Sequence, residues 1–164
     1  MEATQEYLKS RIRYCPATGL FFRRFKKGEK LIIARHKAHG NTDYVKIRFA
    51  GKKYYGHRLA WLYMTGEFPD GGIDHADRNG LNNAWQNLRL ASASQQRMNA
   101  QVRADNTSGF KGVHLHKPTG KWLASIGYKG ERKHLGLYAT PDEAGKVYLG
   151  AAKILFGEFS HLGQ

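Results

Sequence analysis

The first third of the chain carries short hydrophobic runs, one of which alternates with polar residues, and such runs are typical of strands. Residues 44–49 (Tyr-Val-Lys-Ile-Arg-Phe) alternate most strictly. The apolar runs 20–24 and 31–34 are bounded by charged residues, and residues 50–52 predict a hairpin turn into a further strand at 53–56. Only residues 2–13 favour a short helix here. We therefore expect a β-rich N-terminal segment.

The pattern then changes to helical spacing. Residues 57–64 carry apolar side chains three and four positions apart, and Gly66 is suited to end this helix. Residues 70–87 are rich in Asp, Asn and Gly, which predicts a loop. The run Ser92-Ala93-Ser94-Gln95 fits a capping box and predicts that the next helix begins there.

The last third predicts three short strands followed by one helix. The strands are expected at 112–116, 122–128 and 133–137, separated by turns that contain glycine. Thr140 and Pro141 supply an N-cap and a first-turn proline for the helix, and Gly157 a C-terminal cap. The residues expected on its buried face are Ala144, Val147, Tyr148, Ala151 and Leu155.

These elements predict an α+β protein. The polar run 103–109 is the clearest candidate for a domain boundary. We therefore expect a β-rich segment at 1–56, a central module at 57–103 and a domain of one small antiparallel sheet with a packed helix at 104–164.

Charge narrows the choice of partner. Of the 164 residues, 27 are Lys or Arg and 13 are Asp or Glu, which gives a formal net charge of +14. Such an excess favours a polyanionic partner, and the many aromatic residues favour ordered surfaces over a disordered basic tail. Cys15 is the single cysteine, so a disulfide framework is excluded. No stretch approaches the length of a membrane span, and the expectation is a cytoplasmic protein without a membrane partner.

Candidate catalytic chemistry lies at Asp74 and His75. Hydrolysis of a phosphodiester needs a base for the attacking water and a cation beside the phosphate, and an adjacent carboxylate and imidazole can serve both needs. The pair stands within an ordered series, which is His57-Arg58-Leu59-Ala60-Trp61, Ile73-Asp74-His75, Leu81-Asn82-Asn83, Asn87-Leu88-Arg89 and Ala91 to Asn99. This series resembles the phage and intron-encoded branch of the HNH nuclease family, whose metal motif is strand, strand, helix.

The resemblance implies a role for each matching residue. His75 would be the general base, Asp74 a metal ligand, and Asn87 the residue that bridges the loop and orients the histidine. The third motif position, usually His or Asn, is Gln96 here, and Asn99 on the same helical face is the alternative ligand. Oxygen ligands favour a single Mg²⁺ or Mn²⁺ ion, and no small-molecule cofactor is expected. His57 is interpreted as a helix-start or packing residue.

The last third resembles the plant APETALA-two or ethylene-response-factor domain, which also occurs beside phage HNH nucleases. The match rests on Lys111-Gly112-Val113-His114, Gly120-Lys121-Trp122, Ile126, His134 to Tyr138 and Pro141 to Ala152. His114 and Gly127 stand where the plant domains often carry Arg, so the target sequence is not inherited. The predicted DNA contacts are Lys111, His114, His116, Lys121, Trp122, Lys129, Arg132 and Lys133, with Arg23 and Arg24 as additional backbone contacts.

Three functions are compatible with these features. The leading hypothesis is a metal-dependent, site-selective endonuclease for double-stranded DNA, of the phage homing type and acting in a bacterial host cell. The alternative is a non-catalytic, sequence-specific DNA-binding regulator in which Gln96 marks a degenerate HNH site. A third is an RNA-binding or ribosome-associated protein. The sequence does not fix the oligomeric state, the target or whether one strand is cut or both.

Overall fold

The computed structural model describes residues 2–32, 43–100, 102–103 and 105–160, and the backbone alone of 35–37. The chain divides into two compact units, Met1–Leu90 and Ala91–Gln164, each described here by itself. Both combine helices with small antiparallel sheets, which confirms the predicted α+β class. The division precedes the predicted boundary, and residue 104, where the last domain was expected to begin, lies outside the described residues. Among the described residues, no helix is both long and apolar enough to cross a bilayer.

The first unit begins with helix α1 (Gln5–Arg11), which starts where the Thr4 side chain accepts a hydrogen bond from the Tyr7 amide. The predicted helix extended to residue 13, but Ile12 already belongs to a strand because it is fully buried opposite Arg23. Helix α2 (Gly56–Thr65) ends at Gly66, whose positive φ of 92° is the left-handed C-cap expected from the sequence.

Strands in this unit form small antiparallel sheets. β1 (Ile12–Cys15), β2 (Leu20–Phe25) and β3 (Gly28–Leu31) pair in sequence order, and so do β4 (Arg35–Lys37), β5 (Asp43–Phe49) and β6 (Lys52–Tyr55). The β5–β6 turn holds Ala50 and Gly51 at positive φ. The predicted strand at 31–34 falls partly on residues 33 and 34, which lie outside the described residues.

The core of the first unit forms between α1, α2 and the sheets. Its fully buried side chains include Leu8, Ile12, Ile47 and Leu59. These come from four separate elements, so the core ties both small sheets to the two helices. At roughly 1.5–3 kcal/mol for each buried side chain of this size, this core is the main source of the unit's stability.

A two-stranded sheet follows, made of β7 (Gly72–His75) and β8 (Leu88–Ala91). Helix α3 (Ala93–Asn99) comes next, so the chain order is strand, strand, helix, as predicted. The capping box is confirmed: the Ser92 hydroxyl accepts from the Gln95 amide while the Gln95 side chain accepts from the Ser92 amide.

The second unit contains a sheet of β9 (Val113–His116), β10 (Lys121–Tyr128) and β11 (Glu131–Tyr138), with β10 in the centre. Helix α4 (Pro141–Phe156) covers one face, capped by Thr140 as predicted. The predicted buried face of α4 was wrong at Val147, which is 37% exposed. The stripe instead continues along Ala144, Tyr148, Ala152 and Phe156, one helical turn apart.

Candidate functional site

Asp74 and His75 are buried side chains at the end of β7 in the first unit. They are only 8% and 6% exposed. Asp74 Oδ2 accepts a hydrogen bond from Arg89 Nε at 2.9 Å, and Arg89 stands on the neighbouring strand β8. A carboxylate that is almost buried needs a compensating cation. The Arg89 guanidinium supplies one. Arg89 belongs to the sequence motif, in which it was given no role.

Asn83 fixes the ring of His75. Its Oδ1 lies 3.3 Å from His75 Nε2, and its Nδ2 donates to the Leu81 carbonyl at 3.2 Å. The amide oxygen can only accept, so Nε2 carries the proton and Nδ1 is the acceptor nitrogen of the neutral ring. Burial lowers the pKa of His75, against the opposing effects of Asn83, Asp77 and Asp74. The arrangement therefore favours the neutral imidazole that a general base requires.

The β1–β2 hairpin contacts the loop that carries Asn83. The Tyr14 hydroxyl donates to the Asn83 carbonyl at 2.7 Å, and the Trp85 amide donates to the Pro16 carbonyl at 2.8 Å. Gly19 in the β1–β2 turn has a positive φ of 72°, and a Cβ there would lie 2.3 Å from the Ala84 nitrogen. The hairpin and the loop that carries Asn83 are thus in direct backbone contact. Sequence analysis gave no role to Asn83 or Tyr14. Asn83 lies in an Asn-rich segment, and such a composition is usual for a loop.

Asn87 closes the loop that follows His75. Its Oδ1 accepts from the Asp77 amide at 3.0 Å, and its Nδ2 donates to Asp77 Oδ1 at 2.9 Å and to the Asn82 carbonyl at 2.8 Å. Its own carbonyl accepts from the Ala76 amide at 2.9 Å. One buried side chain therefore ties both ends of the 76–82 segment, the kind of bridging expected for the middle Asn of the motif.

An aromatic cluster surrounds the histidine. The His57 ring meets His75 edge-on with 5.1 Å between centroids, and it stacks on Tyr55 at 5.3 Å and 7°. Tyr44 packs against both histidines. Burial lowers the pKa of His57 to about 3, with smaller contributions from His75 and Arg58. His57 is therefore a neutral ring at the start of α2.

The two candidate amide ligands lie on α3, in the second unit. Gln96 is partly exposed, whereas Asn99 is 2% exposed next to the buried Met98. Among the described residues no group of three or more His, Cys, Asp or Glu side chains forms a metal cluster.

Several predicted DNA contacts share the sheet face away from α4. Trp122 packs against the core, so its neighbour Lys121 points to the other face, where His116 is its cross-strand partner. His114 lies opposite Leu123 on that same face. Arg132 lies opposite Gly127, next to the buried Ile126, and joins this face at the far end. A groove of about 1030 Å³ in the second unit is lined by Arg97, Lys111, His114 and Arg132, among others.

The remaining predicted contacts have other surroundings. Lys111 Nζ donates to the Met98 carbonyl at 2.6 Å, at the C-terminal end of α3. Lys129 occupies the β10–β11 turn at a positive φ of 50°, and its Nζ, like that of Lys133, lies over the Tyr128 ring. In the first unit, Arg24 pairs with Glu29 at 3.3 Å.

Comparison with known proteins agrees with the motif. Residues 54–98 match the family model described as HNH endonuclease. "Protein 3.8" of Escherichia phage T7 is 36% identical over 77 residues, which cover 46% of this chain and 64% of that protein. "Uncharacterized HNH endonuclease L560" of Acanthamoeba polyphaga mimivirus is 29% identical over 131 residues, which cover 79% of this chain and 67% of that protein.

A solved structure reporting DNA binding and cleavage by the HNH homing endonuclease I-HmuI aligns over 88% of this chain and 77% of that one, with 20% identity and a TM-score of 0.39. The chain spans about two thirds of the length of the two viral proteins described above. The matched segment runs from β6 to α3 and includes Asp74, His75, Asn83 and Asn87. The segment of this chain that is similar to the HNH endonuclease family is therefore the one that holds the candidate site.

Proposed function

We propose that this protein is a divalent-metal-dependent endonuclease that hydrolyses phosphodiester bonds of duplex DNA, with His75 as the general base. The observation that carries the proposal is the hydrogen bond between His75 and Asn83. It sets the tautomer in which Nδ1 is the accepting nitrogen, on a neutral and buried ring. Asp74 stands next to it, with its carboxylate 2.9 Å from Arg89 Nε. A base and an anionic ligand thus stand at adjacent positions of one strand.

The donor set suits a hard divalent cation. Asp74 offers carboxylate oxygen, and Gln96, or alternatively Asn99, offers amide oxygen, which Mg²⁺ and Mn²⁺ accept and which soft metals do not favour. One such ion, when bound, offsets charge on the phosphate and the leaving oxygen. His75 takes the proton of the attacking water, and Asn87 holds the loop behind it.

DNA recognition is assigned to the basic surface of the second unit. His114, His116, Lys121 and Arg132 share one exposed sheet face, and a sheet face of this kind can enter the major groove. The resemblance to the APETALA-two type stays a prediction. Trp122, which was predicted as a DNA contact, packs against the core of this unit. Lys111, Lys129 and Lys133 flank this face. A phage-type homing role in a bacterial host cell is part of this proposal, and the similarity to a phage T7 protein agrees with a phage origin.

A second candidate is a regulator that binds DNA without cutting it. Two observations favour it: Gln96 replaces the usual third motif residue, and the Arg89 guanidinium already lies 2.9 Å from Asp74 Oδ2. A cation of the protein itself can thus take the place of a metal.

A supercoiled plasmid separates the two functions. Wild-type protein with Mg²⁺ or Mn²⁺ is expected to produce open-circular or linear DNA, and EDTA to stop the reaction. Asp74→Asn should lose cleavage while it still retards duplex DNA in a gel. Intact plasmid with both metals, together with wild-type retardation of DNA, would establish the regulator instead.

A further inference from the structure

The first unit contains a basic cavity outside the HNH motif. It has a volume of about 440 Å³ and is lined by Arg11 at the end of α1, Arg23 on β2, Arg48 on β5, the rings of Tyr7 and Phe49, and the β5–β6 turn. Neither Asp74 nor His75 lines this cavity. Three cationic side chains from three separate elements therefore converge on one concave surface.

The three arginines differ from the neighbouring arginines because no carboxylate of the described residues pairs with them. In the described part of the chain, no carboxylate forms an ion pair with Arg11, Arg23 or Arg48. The adjacent Arg13 and Arg24 both pair with Glu29, at 2.6 and 3.3 Å. Alternation along β2 explains the separation, since successive side chains point to opposite faces. Arg24 was predicted as a DNA contact together with Arg23, but its charge is already compensated.

Contacts within the cavity hold the side chains of Arg11 and Arg23 in place. Arg23 Nη2 donates to the Arg48 carbonyl at 2.9 Å, and the Arg11 guanidinium lies over the Tyr7 ring at 5.8 Å from its centroid. Tyr7 in turn packs against Phe49 at 5.0 Å. Converging guanidinium groups repel each other unless an anion lies between them, and their planar donors match phosphate oxygens.

We infer that Arg11, Arg23 and Arg48 form a phosphate-binding site that holds the backbone of duplex DNA at a point separate from the bond that is cut. The choice of DNA as the source of the phosphate rests on the proposed function. Each phosphate contact releases counterions, so it steepens the dependence of affinity on salt by about one unit in a plot of log affinity against log salt.

The test compares two double variants that remove the same charge. Arg11→Gln/Arg48→Gln removes two of the three guanidinium groups that line the cavity. Arg13→Gln/Arg24→Gln removes the two arginines that pair with Glu29, which are called the Glu29 cluster. Arg23 is kept in both because it bonds the Arg48 backbone, which the substitution leaves in place. Affinity of the full chain for duplex DNA is measured in EDTA, where cleavage is stopped, at several salt concentrations, with thermal melting as the control for folding.

We expect the cavity variant to lose at least about tenfold in affinity near 0.1 M salt and about two units of slope, and the Glu29-cluster variant to change both only slightly. Equal losses in both variants would show an effect of net charge alone and overturn the site, as would an unchanged cavity variant. A loss confined to single-stranded RNA of equal length would also overturn it. If the cavity variant melts early, Arg48→Gln alone is measured and should lose about one unit of slope.

Plasmid cleavage keeps this test separate from the proposed function. Wild-type protein that cuts DNA while both variants bind it equally would reject the phosphate site alone. Protein that leaves plasmid intact while the two variants still differ in salt dependence would reject the nuclease and keep the site.

Discussion

Asn83 is the residue on which the state of the proposed base depends most. It is fully buried, and its side chain joins His75 to the Leu81 carbonyl. Without its oxygen the imidazole loses the acceptor that fixes the proton on Nε2. A base in the wrong tautomer or orientation is a poor base, even where every group that touches the substrate is intact.

Asn83→Ala is therefore expected to lower the rate of DNA cleavage roughly ten- to hundredfold, the usual cost of removing a residue that orients a functional histidine. Affinity for DNA should stay within about twofold, because Asn83 is not at the surface. Asn82→Ala is the matched control, since the Asn82 side chain bonds Asp77 and the Ala84 amide. A comparable loss of cleavage in both variants would mean that the loop fold, and not the orientation of His75, had been disturbed.

At this scale the sequence indicated the candidate catalytic residues more readily than the residues that support them. Asp74, His75 and Asn87 stand out because a carboxylate, an imidazole and an amide have the same order and spacing as in the HNH motif. Asn83, Tyr14 and Arg89 act through contacts between segments distant in the chain, such as the 69-residue separation of Tyr14 and Asn83. No local pattern signals such a pair. The role of Gln96 as a ligand stays a prediction.

At the scale of elements, the β1–β2 hairpin is a support for the candidate active site. It reaches the loop of Asn83 through the Tyr14 hydroxyl, the Pro16 carbonyl and the close approach at Gly19. Burial raises the pKa of Tyr14, so its hydroxyl keeps the proton that it donates to the Asn83 carbonyl.

Tyr14→Phe should therefore lower the stability of the first unit by about 1–2 kcal/mol, because a buried carbonyl loses its donor, and it should also slow cleavage several-fold. Tyr138→Phe provides the control, since the Tyr138 hydroxyl donates to the Leu135 carbonyl at 2.8 Å in the second unit. We expect it to melt earlier as well but to cleave at the wild-type rate. Urea unfolding and plasmid cleavage of both variants provide the comparison. Normal cleavage by Tyr14→Phe would contradict a supporting role for the hairpin.

Most elements were predictable because their signals are local. The alternation at 44–49, the capping box at Ser92 and the Thr140-Pro141 start of α4 all gave elements near their observed bounds. The burial of α4 was less predictable. Val147 and Tyr148 are adjacent, and only the position of the sheet decides which of them faces the core.

At the scale of the whole molecule, the two main features are the excess of positive charge and the division of the chain into two compact units. Both units are basic: residues 1–90 hold 17 Lys and Arg against 8 acids, and residues 91–164 hold 10 against 5. The sequence placed the boundary in the polar run 103–109, whereas the compact units divide after Leu90. The reason is that Ala91 and Met98 are buried in the core of the second unit. A polar segment marks where a linker is tolerated, but packing decides where a unit begins.

Single-turnover cleavage of plasmid DNA, with wild-type protein and His75→Ala both at saturating concentration and with Mg²⁺, tests the central claim most directly. Saturation removes differences in binding, so the ratio of the two rates reports the chemical step. Loss of the general base should slow hydrolysis roughly 10²- to 10⁴-fold while both proteins occupy the DNA equally. Equal cleavage rates would contradict the account, because they would place the base elsewhere.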